Sequence, residues 1–194
     1  MRKDEIEKVL GEAVQALREG KVILYPTDTI WGLGCDATNP EAVRRIYEIK
    51  HRDDSKSLVL LACDLDQIAR YIKEIPSMAI DLVEVNDKPM TIIYPGAEHL
   101  APSTVADDGS VGIRIPVSNF CLELIRRFRR PITSTSANIS GDPTPLEFDD
   151  IPAEIRDAVD YVVPPEILED KIATGHPSQI IKVEVDGRVK VIRD

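Results

Sequence analysis

Short apolar runs rich in β-branched residues alternate with capped, amphipathic segments along this chain, and that alternation constrains the fold more than any other feature. The run KVILYP at 21–26 ends in a proline and predicts a short strand. Asn39, Pro40 and Glu41 then follow one another in the order typical of a helix N-terminus, so residues 42–50 are predicted to be helical. Strands and helices in alternation predict an α/β fold, in which helices pack on a mixed sheet.

The same signals recur to the end of the chain. An N-terminal helix is predicted to end at Gly20, and further helices are predicted after Asp64 (through Ile72) and after Ser118. The remaining predicted elements are a helix at SMAIDLVEV and strands at SLVLLAC, KPMTIIYPG, SVGIRIP, PITSTS, YVVPP, SQIIKVEV and RVKVIRD, with a hairpin turn in EVDGRV. Because 194 residues can form one sizeable core, we expect a single domain over residues 1–194.

Charge and composition narrow the possible functions. The formal net charge of −10 argues against bulk electrostatic attraction to nucleic acid or anionic lipid, so any anion site must be local. The sequence has no apolar run long enough to span a bilayer and no N-terminal signal core, so we expect a cytoplasmic protein without membrane contact. Cys35, Cys63 and Cys121 lie far apart and fit small buried side chains better than a disulfide framework or a metal site.

Four polar segments fall at or near the ends of predicted elements: PTDTIWG, IKHRDDSKS, GSVGIR and TSTSANISG. In open α/β sheets, ligands bind at loops that leave the carboxyl ends of strands. If these segments converge, they form one pocket.

Several side chains in these segments are candidates for anion binding. Lys50 and Arg52 could clamp phosphate or carboxylate oxygens, although cations at the end of a helix are also favoured by the helix dipole alone. Ser134, Ser136 and Asn138 could bind phosphate or ribose oxygens, although such residues also favour turns. Arg114 alternates with apolar neighbours in VGIRIP, so it is predicted to project from the opposite face of its strand.

Other catalytic motifs are missing from the sequence. It contains no P-loop, no GxGxxG turn and no GxSxG elbow, and its three histidines lack ligand spacing. A nucleotide, if one is used, is therefore held in another way.

In order along the chain, YPTDTIWGLG, IKHR, VGIRIP and TSTSANISGDPTP resemble the YrdC-type family, which includes the L-threonylcarbamoyladenylate synthases. The resemblance implies a twisted open sheet with a large concave cavity and no additional C-terminal domain. It also implies an enzyme that condenses L-threonine, bicarbonate and ATP, with Mg²⁺ accompanying the ATP, into threonylcarbamoyl-AMP and pyrophosphate for threonylcarbamoyladenosine modification of tRNA. A downstream tRNA threonylcarbamoyl transferase would then be a partner.

Site residues can be carried over from the family by position. The resemblance implies catalytic phosphate contacts for Lys50 and Arg52, and no metal ligands from protein side chains. Further ATP contacts would be Ser110, Ser136, Asn138, Thr144 and Arg193. The threonine contacts would be Thr27, Thr29, Trp31, Arg114, Ser134 and Ser178.

The sequence departs from the family pattern at some positions. Trp31 stands where tyrosine is common, and Leu61 stands where many active members have histidine; both features are similar to the YciO-like branch. Two alternatives therefore remain beside the synthase: a YciO-like nucleotide-binding paralogue, and a protein that binds double-stranded RNA or tRNA. The resemblance implies that the second would bind RNA through a positively lined cavity. The net charge of −10 argues against it, although Arg126, Arg127, Arg129 and Arg130 form a basic cluster, which is also compatible with a solvated helix end.

Overall fold

The computed structural model describes residues 3–53, 58–167 and 174–194, and nine strands in this part of the chain form one sheet. The strands are β1 (Ile23–Pro26), β2 (Trp31–Gly34), β3 (Val59–Leu61), β4 (Met90–Tyr94), β5 (Val111–Arg114), β6 (Ile132–Ser136), β7 (Tyr161–Val162), β8 (Gln179–Val183) and β9 (Val189–Arg193). Their spatial order is β7-β1-β2-β6-β3-β5-β4-β8-β9. The pairs β1/β7, β3/β5 and β4/β8 are parallel and the others antiparallel, which confirms the predicted mixed sheet.

The helices predicted from Asn39, Asp64 and Ser118 begin directly after those residues. The α-helices are α1 (Lys3–Arg18), α2 (Pro40–Ile49), α3 (Leu65–Ile68), α4 (Ser77–Val85), α5 (Asn119–Phe128) and α6 (Ala153–Ala158), and short 3-10 helices lie at Pro102–Thr104, Phe148–Asp150 and Pro165–Ile167. The Asn39 side chain accepts hydrogen bonds from the backbone N–H groups of Glu41 and Ala42, and the Asp64 carboxylate accepts one from Gln67. Each cap satisfies N–H groups that the first helical turn leaves unpaired.

Two sets of helices cover the two faces of the sheet. On one face, Ile23, Tyr25, Leu61 and Ile132 pack in a buried cluster with apolar residues of α1 and α5. On the other face, α2 packs with Leu24, Trp31 and Leu33, while Leu60, Ile92 and Ile113 form a cluster with residues of α3 and α4. All three cysteines are buried and free, as predicted.

The strand β2 was not predicted, because PTDTIWG has the composition of a polar loop. Residues 31–34 pair with β1 on one side and with β6 on the other. Its two glycines weaken any strand signal, but the structure needs a glycine at 34. A Cβ built there would lie 2.6 Å from Tyr25 Cε1 and 3.0 Å from the Thr133 carbonyl oxygen, because the buried Tyr25 ring lies against the strand.

Two further elements differ from the prediction. The helix after Asp64 ends at Ile68 and does not continue to Ile72. The chain turns there so that the Tyr71 carbonyl can accept from Glu98 N and Lys73 N can donate to the Gly96 carbonyl. The helix α6 lies in a stretch for which no helix was predicted.

We predict that Gly34→Ala lowers the free energy of unfolding by about 1–3 kcal/mol, because the new methyl group would overlap the Tyr25 ring. The control is Gly11→Ala in α1, where a Cβ meets no atom within 4 Å. This control should leave stability unchanged or raise it by up to about 1 kcal/mol. Urea unfolding followed by circular dichroism measures both variants, and equal effects would contradict the packing argument.

Candidate functional site

A cavity of about 330 Å³ lies over the central strands. Eight of the side chains predicted from the sequence line it: Thr29, Arg52, Arg114, Ser134, Ser136, Thr144, Ser178 and Arg193. They come from six segments that are separate in sequence, so the fold brings together most of the predicted site. Its wall also includes Ile30, Gly32, Leu58, Val59, Thr135, Pro177 and Ile180.

Strand register explains why these residues share one face. Ser134 and Ser136 are in phase with Ile132, and Val59 is in phase with Leu61. They therefore project from the same side of the sheet as the α1/α5 cluster, but line a cavity instead of packing under a helix. Gly32 lies opposite Ser136 in the register, and a Cβ at this glycine would lie only 3.3 Å from the Thr135 carbonyl oxygen.

The turn between β1 and β2, residues 27–30, is held by the hydroxyl of Thr27. Thr27 Oγ1 donates to the Ile30 carbonyl oxygen at 2.7 Å and accepts from the backbone N–H groups of Thr29 and Ile30 at 3.1 and 3.2 Å. Thr29 Oγ1 lies 3.0 Å from Thr27 Oγ1. The turn thus satisfies its own polar groups and presents Thr29 to the cavity.

Arg114 is held at the wall of the cavity by Asp28. One Asp28 carboxylate oxygen accepts from Arg114 Nη1, and the other accepts from the backbone N–H of Val117 at 3.0 Å. Arg114 Nη2 lies 3.4 Å from Thr29 Oγ1. Both charged side chains are buried, with Asp28 1% and Arg114 3% exposed. Since a buried charge is costly unless it is paired, the two side chains depend on one another.

Lys50 is a buried brace and does not line the cavity wall. It is 1% exposed, and its ammonium donates to the carbonyl oxygens of Ser136 at 2.5 Å and Asn138 at 2.6 Å, with Asn138 Oδ1 at 3.4 Å. Burial, together with the charge of Arg52, lowers the pKa of Lys50 to about 8. The side chain is therefore mostly protonated at neutral pH, as its acceptors require.

Asn138 braces the same loop. Its Nδ2 donates to the Asp142 carbonyl at 2.7 Å, and Ser140 N donates to the Lys50 carbonyl at 2.8 Å. The loop after β6 is thereby tied to the C-terminal end of α2, which also carries Arg52 to the cavity. Lys50 and Asn138 therefore support the loop after β6 without lining the cavity themselves.

At the far end of the cavity, the last strand contributes Arg193. Its Nε and Nη2 donate to the Ser178 carbonyl oxygen at 3.1 and 2.7 Å, and burial lowers its pKa. The Ser178 hydroxyl lies 2.8 Å from Thr91 Oγ1, and Thr91 is opposite Arg114 in the register of β4 and β5. These contacts join β8 and β9 to the centre of the sheet.

The other predicted residues lie away from the wall. Thr27, Lys50 and Asn138 are the braces described above. Trp31 packs against Phe148, with ring centroids 4.9 Å apart, and belongs to the core under α2. Ser110 donates to the Asp108 carboxylate at 2.6 Å. Leu61, which departs from the histidine of the family pattern, is buried in the α1/α5 cluster.

Sequence reasoning gave no specific role to Asp28. The residue was visible in PTDT, but its partner is 86 positions away and meets it only in the folded sheet. Gly32 and Ile180 were also missed as wall residues. In β8, Ile180 is in phase with Lys182 and lies on the face opposite the buried Ile181 and Val183.

Three further findings concern the basic cluster, metal binding and membrane helices. Arg126, Arg127 and Arg130 form ion pairs with Glu123, Glu7 and Asp36 respectively. Within the described residues, no group of His, Cys, Asp and Glu side chains is arranged to hold a metal ion. None of the helices in residues 3–53, 58–167 and 174–194 combines the length and apolar character that crossing a membrane requires.

Comparison with known proteins identifies the family. A model of the Sua5/YciO/YrdC family, described as "Telomere recombination", matches residues 15–194. The chain belongs to this family. A threonylcarbamoyl-AMP synthase of Vibrio cholerae is 33% identical over 175 residues, which are 88% of this chain and 90% of that protein. The predicted YrdC-type membership is thus confirmed.

Solved structures of the Sua5/YciO/YrdC family share the fold. The crystal structure of Pyrococcus abyssi Sua5 complexed with L-threonine has a TM-score of 0.81 and 28% identity; the match covers 92% of this chain and 51% of that one. This chain therefore spans about half the length of that protein. E. coli YciO also has a TM-score of 0.81, at 24% identity, with 96% of this chain and 89% of that chain covered. The likeness to YciO shows the fold alone.

We predict that Lys50→Met lowers the free energy of unfolding by about 2–3 kcal/mol, because buried oxygens of the loop after β6 would lose their donor. Lys8→Met is the control, since the Lys8 side chain is 76% exposed, and it should change stability by less than about 0.5 kcal/mol. Chemical unfolding measures both. If Lys50→Met were as mild as the control, Lys50 would not brace this loop.

Proposed function

We propose that this member of the Sua5/YciO/YrdC family is a threonylcarbamoyl-AMP synthase, which forms threonylcarbamoyl-AMP and pyrophosphate from L-threonine, bicarbonate and ATP. One observation carries the proposal: Arg114, locked beside Thr29, shares a cavity with Arg52 and Ser136. A cavity with separate cationic side chains suits a substrate pair with two anionic ends, a carboxylate and a triphosphate. The name of the Vibrio cholerae relative supports this choice.

The reaction needs alignment more than a protein nucleophile. The threonine amine combines with bicarbonate to give a carbamate and water. A carbamate oxygen then attacks the α-phosphorus of ATP, and the bond to the leaving pyrophosphate breaks. Such a displacement is accelerated by holding the reactants in line and by neutralising phosphate charge.

The cavity residues divide these tasks. We assign Arg114 to the threonine carboxylate, and Arg52 with Ser136 and Thr144 to the nucleotide. Ser134, Ser178 and Arg193 complete the wall between the two. Lys50 and Asn138 act indirectly, because they fix the loop that carries the wall beyond Ser136.

Mg²⁺ would arrive with ATP. The described cavity wall offers hydroxyl groups and arginines and contains no carboxylate, so the residues present fit a magnesium ion held through phosphate oxygens. When bound, the ion would neutralise part of the phosphate charge.

In the cell, we expect the product to serve threonylcarbamoyladenosine modification of tRNA in the cytoplasm, with a downstream tRNA threonylcarbamoyl transferase as the consumer. Direct binding of tRNA or double-stranded RNA stays a prediction. The carboxylate partners of Arg126, Arg127 and Arg130 leave that basic cluster partly neutralised.

The test of the function is pyrophosphate release from ATP, Mg²⁺ and bicarbonate, with and without L-threonine, combined with mass spectrometry of the nucleotide product. Release that requires threonine, together with the mass of threonylcarbamoyl-AMP, is expected. Folded protein that binds ATP but releases no pyrophosphate would contradict the synthase and favour a YciO-like paralogue.

We predict that Arg52→Ala slows threonine-dependent pyrophosphate release by at least about 100-fold, because a cation is lost from the nucleotide end of the cavity. Arg44→Ala is the control, since Arg44 lies on α2, the helix that precedes Arg52. Arg44 pairs with Glu41 and Glu48 at the surface and should be dispensable. A similar loss in both variants would place the effect outside the cavity.

For Arg114→Lys, we expect the KM for L-threonine to rise about 10–100-fold while the KM for ATP stays nearly constant. Lysine retains the charge beside Asp28 but lacks the planar fork that suits a carboxylate. Steady-state kinetics with each substrate varied in turn measures both constants. Equal increases in the two KM values would show that Arg114 maintains the whole cavity and does not bind threonine.

A further inference from the structure

The pairing between β8 and β9 contains one extra residue. Ile181 lies opposite Val191, and the strands run antiparallel, so a regular ladder would next place residue 192 opposite Ile180. Arg193 lies opposite Ile180 instead. Two residues of β9 therefore span the distance that one residue of β8 spans, which is the arrangement of a β-bulge. Ile192 is the residue that the bulge adds.

The bulge determines which side chain faces the cavity. Directly opposite residues of an antiparallel pair project from the same face of the sheet. Ile180 lines the cavity, whereas Ile181 packs in the core cluster on the other face. Arg193 shares the face of Ile180 and also lines the cavity. Without the bulge, Ile192 would take that place and Arg193 would lie on the face of Ile181.

Arg193 ends a row of register partners that begins at Arg114. Arg114 on β5 pairs with Thr91 on β4. Ile180 on β8 pairs with Thr91 on one side and with Arg193 on the other. Because neighbouring strands are about 4.8 Å apart, the backbones at Arg114 and Arg193 are separated by about 14 Å across the sheet. The cavity therefore has a cationic side chain at the end of this row that is separate from Arg114.

The guanidinium of Arg193 has donors left for a ligand. Its Nε and Nη2 donate to the Ser178 carbonyl oxygen at 3.1 and 2.7 Å, which uses two of the five N–H groups of an arginine. This carbonyl is uncharged, and burial lowers the pKa of Arg193, so the surroundings disfavour the positive charge. A phosphate group that accepted hydrogen bonds from the other N–H groups would compensate that charge.

We propose that the bulge at Ile192 is a positioning feature, which turns Arg193 toward the cavity so that its guanidinium binds a phosphate group of ATP. Bulges are over-represented next to active sites, where they redirect a side chain. In the proposed reaction Arg114 takes the threonine carboxylate, so the phosphates are the anionic groups that remain for Arg193. The inference rests on the proposed function for its ligand, and it adds the backbone feature that selects between two neighbouring side chains.

Isothermal titration calorimetry with ATP and Mg²⁺ compares three variants with the wild type. In Ile192→Glu the bulged residue carries a carboxylate, whereas deletion of Ile192 makes β9 regular and leaves the arginine opposite Ile180. The third variant combines this deletion with Val191→Arg and Arg193→Val, which keeps length and composition but places the arginine opposite Ile181. Val191 is 52% exposed, so solvent can accommodate an arginine there. Circular dichroism and urea unfolding report whether each variant is folded.

ATP affinity should follow the face on which the arginine lies. Ile192→Glu should bind ATP within about threefold of the wild type, because the bulge keeps residue 192 out of the cavity. The deletion variant should stay within the same range. The third variant should bind ATP at least about tenfold more weakly, since its cation lies on the other face. A purely structural role of the bulge would instead make the two deletion variants equally weak.

Three results would overturn the proposal. A loss of about tenfold or more in folded Ile192→Glu would show that residue 192 faces the cavity. Equal ATP affinities in the two deletion variants would show that the face of the arginine is irrelevant. A third variant that loses affinity for L-threonine but not for ATP would show that Arg193 does not bind phosphate.

Two further controls keep the test decisive. If the deletion prevents folding, Ile192→Glu and Arg193→Gln decide the question, with a loss of ATP affinity expected only in Arg193→Gln. Wild-type protein that binds ATP but forms no threonylcarbamoyl-AMP would refute the proposed function alone, which separates the two failures.

Discussion

A buried ion pair between Asp28 and Arg114 joins the turn after β1 to β5, although β2, β6 and β3 lie between those strands in the sheet. The cavity wall depends on this pair, because Asp28 holds the guanidinium while Val117 N holds Asp28. Removing one partner of such a buried pair typically costs about 3–5 kcal/mol, since the other charge is left uncompensated. Stability and the shape of the cavity wall are thus linked in one contact.

A second constraint acts at the other end of the cavity. There the Lys50 ammonium binds carbonyl oxygens of the loop after β6. The two contacts differ in kind: Asp28 positions a side chain that reaches the cavity, whereas Lys50 positions a stretch of backbone. Together they support two sides of a cavity whose floor is the sheet itself, where Gly32 and Val59 are part of the lining.

Much of this arrangement was predictable from the sequence. Caps such as Asn39 and Asp64 fixed helix starts because their side chains bond to backbone groups only a few residues away. The prediction that Arg114 leaves its strand on the face opposite Ile113 is confirmed, because strand alternation is a local property. The four motifs also identified the family correctly.

The remaining features depend on contacts between distant segments. No local pattern shows that Gly34 is a strand residue beneath Tyr25, or that Trp31 packs on Phe148 in the core. Likewise, Lys50 has the sequence context of a phosphate ligand, and its acceptors 86 and 88 positions away become apparent only in the folded chain. The motif around Lys50 therefore indicated the region of the cavity, whereas the contacts of its ammonium group follow from the folded chain.

The central claim is that one cavity on the sheet holds both substrates. A crystal structure with L-threonine and an ATP analogue that cannot be cleaved between the α- and β-phosphates tests it most directly. We expect the threonine carboxylate on Arg114 and the phosphates beside Arg52. Threonine bound outside this cavity, or bound with its amino group at Arg114, would contradict it.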